Sequence, residues 1–403
     1  MLVKFRMGIM FLIVLCGMIS IAAFNPIIGP LSRHLGLSEL QSGCLVSITG
    51  LTWLLGGYFW ERMTFMGRKK MLASIMVIYV ATLVVFALLA DYAETHFNGT
   101  ASAGLFWTLL LLRTVAGFFF GGIPAMAQAY VMGWTTPDTR TRGMALFGAA
   151  NGLGFVLGPA MSGGLAAIGL TAPMYGAATL LFVTALLFMA TIAEEPVRKV
   201  RKQAARPALS PNDSRVRLYL WVGLLLSFAL NIVQVTIGFY VQDILGYDAQ
   251  AATQLIGLGL AVSGVMVVAS QIVISKYLKW HPSRVLRVGL LFVALGLLGL
   301  LTLLRFAYLD FAVLGIGIGF TLLGYSAGAS MAVRDEEQRT VASYIAALQG
   351  GGSFLGPVTG TALYTVHLSL PYSFCVLLIA ISAIFAMRRK GAPQAEAGMT
   401  SLN

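Results

Sequence analysis

Long apolar segments recur along the whole chain, separated by short stretches in which charged residues collect. Each segment holds about 20 residues or more, the length that an α-helix needs to cross the hydrocarbon core of a bilayer. No segment alternates apolar and polar residues with a period of two, as the strands of a membrane barrel do. The pattern therefore predicts an all-α integral membrane protein with twelve transmembrane helices, at about 7–30, 41–61, 70–90, 104–132, 141–168, 172–193, 217–242, 251–276, 285–304, 310–332, 340–366 and 370–387.

One pattern occurs twice, at equivalent places in the two halves of the chain. Residues 151–159 read NGLGFVLGP and residues 349–357 read QGGGSFLGP. A membrane protein built from two similar halves is the usual plan of a secondary transporter, with its site between the halves. The pattern predicts two six-helix bundles at 1–193 and 217–390, a cytoplasmic linker at 194–216 and a disordered cytoplasmic tail at 391–403.

The repeated pattern also predicts how these two helices pack. Glycines four residues apart make a smooth helix face on which another helix can lie, and a proline bends the helix beside it. We expect both helices on the seam between the halves, where they would help it to open and close; a kink needed only for packing is the alternative. The predicted gating residues of the repeat are Gly154, Gly158, Pro159, Gly352, Gly356 and Pro357.

Composition and charge agree with a membrane protein and set its orientation. The chain is 58% hydrophobic and only 10% charged, whereas a soluble domain has about 25% charged residues. Nearly all of the 27 Lys and Arg fall on one side of the predicted membrane, and the positive-inside rule makes that side, with both termini, cytoplasmic. We therefore expect a multi-pass protein of a bacterial inner membrane, and the net charge of +12 does not indicate nucleic-acid binding.

Three cysteines lie far apart within apolar segments, so the sequence predicts neither a disulfide framework nor a metal site. We expect no cofactor and no catalytic residue. No GxxxxGK[ST] motif is present, which argues against an ATP-driven pump. The expected partners are the lipid bilayer, a small-molecule substrate and protons, and the expected state is a monomer.

Arg113 is the charged residue that falls inside a predicted span, while the acidic residues fall near span ends or in loops. An unpaired Arg in hydrocarbon costs roughly 3 kcal/mol on insertion scales, so it should face a cavity or a partner. We therefore predict that Arg113 binds an anionic or zwitterionic substrate; a structural role, with an amide such as Gln128 as partner, is the alternative.

Neutral polar residues within the spans are further candidates for the lining of a cavity. Amides both donate and accept hydrogen bonds, although they equally join helices, at about 0.6 kcal/mol each. With Arg113, the predicted substrate-binding residues are Asn25, Gln128, Asn231, Gln234, Gln349 and Tyr344.

The loop after the second span carries a cluster of opposite charges. The carboxylate of Glu61, at the predicted cytoplasmic end of that span, could pair with a basic residue of the other half or lie at a helix N-terminus across the seam. Arg142 and Arg339 are candidate partners, and the contact would latch the cytoplasmic side. A plain solvated loop is the alternative. The predicted gating residues of this loop are Gly57, Glu61, Arg62, Gly67 and Arg68.

Three of these motifs resemble those of the major facilitator superfamily. Residues 154–163 look like the antiporter motif in the fifth helix of its drug exporters, with Ser162 where the first closing glycine would be. Residues 113–117 are similar to the fourth-helix motif, and residues 57–70 resemble the loop motif between helices two and three, with Glu61 in place of Asp. The resemblance implies two six-helix bundles, a central cavity and alternating access, as in the twelve-helix drug:proton antiporters.

The leading hypothesis is a proton-coupled exporter of small organic molecules, either drug-like compounds or a carboxylate-bearing metabolite such as a siderophore. The alternative is an importer of nutrients or organic anions on the same fold. A membrane receptor without transport activity is a third possibility, but a static receptor does not need matched bends in two helices. The usual mid-membrane acid is absent, because Ser20, Ile21 and Ala22 stand where the first-helix acid should lie.

Overall fold

The computed structural model describes residues 2–63, 66–97, 103–194, 209–278, 280–302 and 304–388, and every regular element in these ranges is helical. Ten segments are long and apolar enough to cross a membrane. The prediction of an all-α membrane protein is confirmed. The helices are α1 (Leu2–Ala22), α2 (Asn25–His34), α3 (Glu39–Arg62), α4 (Arg68–Phe97), α5 (Ala103–Trp134), α6 (Pro137–Leu165), α7 (Ala172–Thr191), α8 (Arg217–Leu245), α9 (Ala249–Tyr277), α10 (Pro282–Thr302), α11 (Ala307–Met331), α12 (Asp335–Val366) and α13 (Leu370–Arg388).

The first membrane pass is broken into α1 and α2 at Ala23 and Phe24. Pro26 has no N–H with which to continue the helical ladder, and its ring crowds the carbonyl one turn earlier. The N–H of Ile27 bonds to the Phe24 carbonyl at 3.2 Å instead. With α1 and α2 counted as one pass, the described helices make the twelve passes that the sequence predicted.

Twelve passes put the start of α1 and the end of α13 on the same side of the membrane, here called the terminal side; the opposite side is the distal side. Helices α1–α7 form the first half, with a buried core that includes Tyr79 and Phe188. Helices α8–α13 form the second half, with a separate core around Phe311 and Tyr372. Residues 195–208 of the predicted linker and the predicted tail lie outside the described residues, so the domain boundaries stay a prediction.

Helices α6 and α12 carry the repeated pattern and are not among the ten strongly apolar segments. Charged residues near their terminal ends, together with glycines and amides, make them more polar than the other long helices. Each helix packs against its own half and against the other half: α6 against α1 and α9, and α12 against α8 and α3. Neighbouring helices thus replace lipid around them, and small residues favour such close contact.

The repeat glycines of α6 pack within the first half. A Cβ at Gly158 would lie 2.7 Å from Ala22 Cβ, and a Cβ at Gly154 would clash with Met18; both neighbours belong to α1. The helix α6 lies on the seam as expected, through its contact with α9, but these two glycines face its own half, and their predicted gating role stays a prediction. Their role is to let α6 lie directly on α1.

The second copy makes the equivalent contact in the second half. A Cβ at Gly356 would lie 2.7 Å from Asn231 Cβ, and one at Gly352 would clash with Ser227; both neighbours belong to α8. The helix α12 lies on the seam through its contact with α3, whereas these glycines face their own half, and their gating role also stays a prediction. The shared feature of the two copies is a close helix pair inside each half.

The prolines of the repeat, unlike the glycines, do face the other half. The Pro159 carbonyl oxygen lies 2.7 Å from the position of a Cβ at Gly257 on α9. The Pro357 carbonyl oxygen lies 2.8 Å from that of a Cβ at Gly43 on α3. Each bent helix therefore carries its glycines towards its own half and its proline carbonyl towards the other half.

Ser162, the departure from the resembling motif, has a structural role. Its hydroxyl donates a hydrogen bond to the carbonyl of Ala23, at the break between α1 and α2. That carbonyl lies where the helical ladder is interrupted, and a buried backbone oxygen needs a donor. A glycine at this position could not supply one.

Candidate functional site

The two halves meet along α3 and α12, in the parts of these helices nearest the distal side. Gly43 and Gly50 on α3 leave no room for a Cβ, and a Cβ at Gly50 would lie 2.8 Å from the Ser353 carbonyl oxygen on α12. Gly350 packs against Leu54 one turn further towards the terminal side. These glycines let the halves touch backbone to backbone.

A hydrogen bond crosses this part of the seam. The backbone N–H of Val358 donates to the Ser47 hydroxyl oxygen on α3, at 3.2 Å. Pro357 is the preceding residue of α12, and serine hydroxyls commonly satisfy backbone groups beside a proline in a membrane helix. The bond ties the proline turn of one half to a side chain of the other.

Helices α6 and α9 form the matching contact on the opposite edge of the seam. Gly163 packs against the backbone of Gly257 near the distal side, and Val156 packs against Gly264 deeper in the membrane. Towards the terminal side, Gly152 has open space around it within the described structure. Among the described residues the halves are thus joined at the distal side, and the face of α6 below Val156 is open, so the central cavity that the resemblance implies would open to the terminal side.

The floor of this cavity is formed by two amides from different halves. Asn25 Nδ2 on α2 donates to Gln234 Oε1 on α8 at 3.0 Å. Both side chains are partly buried, whereas Gly29 and Gly238, one turn further towards the distal side, are buried against each other. The structure therefore brings together two residues that the sequence singled out separately.

Two other predicted residues bond within the second half. Asn231 Nδ2 donates to the Ser227 carbonyl of its own helix at 2.8 Å. Gln349 Nε2 donates to the Tyr325 hydroxyl at 3.1 Å, which links α12 to α11. Their substrate-binding role stays a prediction.

Tyr344 lies near the terminal side, far from the amide pair. Its hydroxyl donates to the carbonyl of Leu209 at 2.6 Å, in the segment that leads into α8. In the same segment, Arg215 donates hydrogen bonds to Asp213 and to Glu337 on α12. The bond from Arg215 holds the pKa of the Asp213 carboxyl below its usual range. Tyr344 thus fastens this segment to α12, and its predicted contact with substrate stays untested.

Gln128 is half-buried on α5, in the last two turns before the terminal end of that helix. The amide pair is formed by α2 and α8, and no contact between Gln128 and the pair is observed. The structure therefore does not bring Gln128 to the floor of the cavity. Its predicted role in binding substrate also remains a prediction.

Arg113 points into the first half and is only 3% exposed. Its guanidinium carbon lies 3.7 Å from the ring centroid of Phe24, and its Nε lies 3.5 Å from the carbonyl oxygen of Leu45. No acidic side chain pairs with it in the part of the chain that the structure describes. The ring of Phe24, the neighbour of Asn25 in the chain, covers the guanidinium in this conformation.

The loop motif after α3 contains the predicted latch residue Glu61. Glu61 is exposed and forms no ion pair with another described side chain, while the Arg62 guanidinium stacks on Tyr58 at 3.6 Å from the ring centroid. The side chains of Arg142 and Arg339 lie outside the described ones. The latch stays a prediction.

The glycines of this motif have local packing roles. Gly57 lies beside the Gly121 carbonyl on α5. Gly67 leaves no room for a Cβ against the carboxylate of Glu194, which also lies 4.0 Å from Lys70 Nζ. Arg68 begins α4. These contacts hold the motif to the first half, and its gating role is untested.

Sequence reasoning missed the charged residues that join the halves at the distal side. Arg33 on α2 forms a two-pronged ion pair with Asp243 on α8, with distances of 2.6 and 2.7 Å. A signal was present: Asn25, Gly29 and Arg33 recur every four residues, so they share one helix face. That face of α2 follows α8 from the amide pair to the distal surface.

Comparison with known proteins agrees with this architecture. Residues 10–357 match the model of the Major Facilitator Superfamily. The chain belongs to this superfamily. It is therefore a multi-pass membrane transporter and not an enzyme, and it moves a small-molecule substrate through a lipid bilayer.

Two relatives of this transporter are named for drug resistance. It is 29% identical to the tetracycline resistance protein, class C, of Escherichia coli over 288 residues, which cover 67% of this chain and 69% of that protein. It is 21% identical to multidrug resistance protein 1 of Bacillus subtilis over 366 residues, which cover 88% and 89% of the two chains.

The fold is similar to that of a bacterial homologue of the human lysosomal transporter Spinster, solved in an inward-facing and unoccupied conformation. The TM-score is 0.73, 96% of each chain is covered, and the sequence identity is 14%. The arrangement of helices predicted from the three motifs is thereby confirmed.

Proposed function

We propose that this transporter exports small organic molecules from a bacterial cytoplasm through the inner membrane, by alternating access coupled to protons. The names of two relatives describe resistance to tetracycline and to multiple drugs. The positive-inside rule favours a cytoplasmic terminal side, with both termini there. In that orientation the cavity opens towards the cytoplasm, the side from which an exporter takes its substrate.

The observation that carries this proposal is the amide pair at the floor of the cavity. Asn25 and Gln234 join the halves by one hydrogen bond, and both side chains remain partly exposed on the cavity side. A substrate that donates or accepts hydrogen bonds competes for the same two amides. Its binding would replace the cross-half bond with bonds to substrate, so the halves become freer to separate at the distal side.

The proposed substrates are drug-like compounds or a carboxylate-bearing metabolite such as a siderophore. The ring of Phe24 covers the Arg113 guanidinium, and Phe24 adjoins Asn25 in the chain. A carboxylate bound at the amide pair would therefore lie close to Phe24, and a movement of this ring would uncover Arg113. A guanidinium binds a carboxylate through two parallel hydrogen bonds, which would favour acids over amides.

Coupling to protons is proposed because residues 154–163 resemble the antiporter motif of drug:proton exchangers. A monomer is proposed as the working unit, because the cavity and its floor are formed by the two halves of one chain. A symporter that imports its substrate on the same fold is the competing function, and the experiment below separates the two by direction.

The test uses membrane vesicles of both orientations, energised by an imposed pH gradient, with tetracycline and a fluorescent aryl carboxylate as probes. Export predicts accumulation in inside-out vesicles with an acidic lumen, abolished by a protonophore. Asn25→Ala and Gln234→Ala should each lower the initial rate roughly five- to tenfold, the effect of one lost hydrogen bond of about 1–1.5 kcal/mol. Asn151→Ala is the matched control, because that amide donates to the Phe147 carbonyl of its own helix. Accumulation in right-side-out vesicles alone would establish import instead.

A further inference from the structure

Four polar side chains from four helices meet at the distal end of the seam and are here called the distal cluster. Arg33 Nη2 donates to Glu39 Oε1 on α3 at 3.1 Å, and both terminal nitrogens of Arg33 donate to Asp243 on α8. Tyr364 on α12 donates its hydroxyl to the same Asp243 carboxylate. The side chains of Arg33, Glu39 and Asp243 are 27%, 28% and 26% exposed, so water on the distal side can reach them.

The distal cluster is the outermost of three cross-half contacts between α2 and α8. The Asn25–Gln234 amide pair forms the floor of the cavity, and Gly29 packs on the backbone of Gly238 above it. The ion pair then ends the row at the membrane surface. Opening of the distal side must break this ion pair, because Arg33 and Asp243 belong to different halves.

The charges of the distal cluster are divided unequally between the halves. Arg33 and Glu39 both belong to the first half, so they remain a neutral pair when the halves separate. Asp243 belongs to the second half with Tyr364, so separation leaves it a carboxylate without its cation. Other nearby charges have their own partners: His34 lies 2.9 Å from Glu94, and Asp248 accepts a hydrogen bond from the Ala251 N–H.

A carboxylate that loses a neighbouring cation binds a proton more readily, because the charged form is no longer stabilised. By linkage, a proton on Asp243 favours the separated halves over the joined ones. We propose that the distal cluster is a proton-operated gate, in which protonation of Asp243 from the distal side releases the second half from Arg33 and opens that side. The proposal uses the alternating access of the proposed function, but neither its direction nor its substrate.

The test measures opening of the distal side directly, in full-length protein in nanodiscs without substrate. Spin labels are placed at Leu40→Cys on α3 and Tyr247→Cys after α8, two exposed positions on different halves, after replacement of the native cysteines by Ser. Distances between the labels are measured by pulsed electron paramagnetic resonance from pH 8.5 to pH 5. The expected result is a growing long-distance population as the pH falls.

Three variants identify the group that responds. Asp243→Asn should hold the long-distance population constant across the pH range, because the neutral amide cannot pair with Arg33 as an anion. Glu39→Gln is the matched control and should keep a pH response. Tyr364→Phe removes a hydrogen bond that stabilises the charged form of Asp243. It should therefore raise the pH midpoint of the long-distance population by about one pH unit.

A pH response that persists in Asp243→Asn would overturn the proposal, and so would its loss in Glu39→Gln. If Asp243→Asn does not fold, the comparison of the parent with Tyr364→Phe still tests the proposal. Equal pH midpoints of the long-distance population in these two proteins would also overturn it. These distances require no transport. A failure of the vesicle assay would therefore not contradict the proposed gate, and an absent pH response would not contradict export.

Discussion

At the residue scale, Arg113 combines deep burial with incomplete compensation of its charge. The face of an aromatic ring contributes about 2 kcal/mol to a desolvated cation, and Phe24 offers such a face at 3.7 Å. The hydrogen bond to Leu45 is long, at 3.5 Å, and bonds of that length are weak. Desolvation of a cation costs several kcal/mol. The charge therefore does not stabilise the first half, and this favours a role in binding.

We expect Arg113→Gln to weaken binding of a carboxylate substrate by about 2–3 kcal/mol, or roughly 30- to 150-fold, because a charge-assisted hydrogen bond is lost. Arg113→Lys keeps the charge without the planar fork and should weaken it less. Binding is measured by fluorescence quenching for the carboxylate and for its amide analogue. Equal losses for both ligands would make Arg113 structural. Arg113→Met serves as the control for folding, because it keeps the side-chain length and should unfold no earlier than the parent.

Ser162 gives a second test at this scale. Its hydroxyl is the donor to the Ala23 carbonyl at the break of the first pass. Ser162→Ala should leave that oxygen without this donor and lower the free energy of unfolding by about 1–3 kcal/mol. Thermal unfolding of the purified protein, followed by tryptophan fluorescence, reports the change. Thr179→Ala, which removes an exposed hydroxyl bonded to its own helix, should change the melting temperature little; an equal loss in both variants would contradict the specific role.

The sequence identified polar residues but not their partners. Asn25 and Gln234 each stand out as amides within apolar spans, yet their pairing depends on how the two halves dock. Arg33 and Asp243 are harder still, because charges near the ends of membrane helices are ordinary and indicate no partner. Only the four-residue spacing of Asn25, Gly29 and Arg33 carried that information. This spacing can be interpreted only once α2 is known to pack against α8.

At the scale of helices, length and hydropathy were sufficient to predict the number of passes, because each pass must cross the same thickness of hydrocarbon. The break in the first pass has its own signal in Pro26. The direction of a glycine face does not follow from the sequence in this way. Gly154 and Gly158 indicate that a helix lies close by, but a neighbour in the same half and one in the other half demand the same spacing.

The glycine faces lead to a prediction about stability. Leu at Gly158 or Gly356 would force α6 away from α1, or α12 away from α8, and overpacking of this kind costs about 1–3 kcal/mol or more. We expect both variants to melt at lower temperature than the parent. Gly152→Leu on the same helix as Gly158 is the matched control, because Gly152 has open space around it. If Gly158→Leu and Gly152→Leu melted alike, close packing against α1 would not be the reason for the glycine.

At the scale of the whole molecule, the two halves hold one of the two states that alternating access requires. Their contacts among the described residues lie towards the distal side, and Gly148 and Gly152, on the terminal side of Val156 in α6, have open space around them. The distal cluster therefore stabilises the state seen here. The opposite state needs a counterpart at the terminal side, and Glu61, with Arg142 and Arg339 near the starts of α6 and α12, is the predicted counterpart.

The balance between the two states gives the last prediction. The latch should be broken in the state that is open at the terminal side, so Glu61→Gln should leave that state unchanged and destabilise the one in which the latch is closed. Exposed ion pairs contribute up to about 1 kcal/mol, so the population open at the terminal side should grow by up to roughly fivefold relative to the closed one. A cysteine at Gly152, which has open space around it, reports this state through its rate of maleimide labelling from the terminal side.

Two controls make this measurement specific. Glu194→Gln removes a carboxylate on the same side that contacts Lys70 and Gly67 inside the first half, so it should leave the labelling rate unchanged. Asp243→Asn weakens the distal cluster and should slow labelling, the opposite effect to Glu61→Gln. Equal rates in the parent and Glu61→Gln would remove the latch from the mechanism. A faster labelling rate in Glu61→Gln and a slower one in Asp243→Asn would show that ion contacts at the two ends of the seam stabilise opposite states. Transport then requires that both contacts are weak, so that the protein can leave either state.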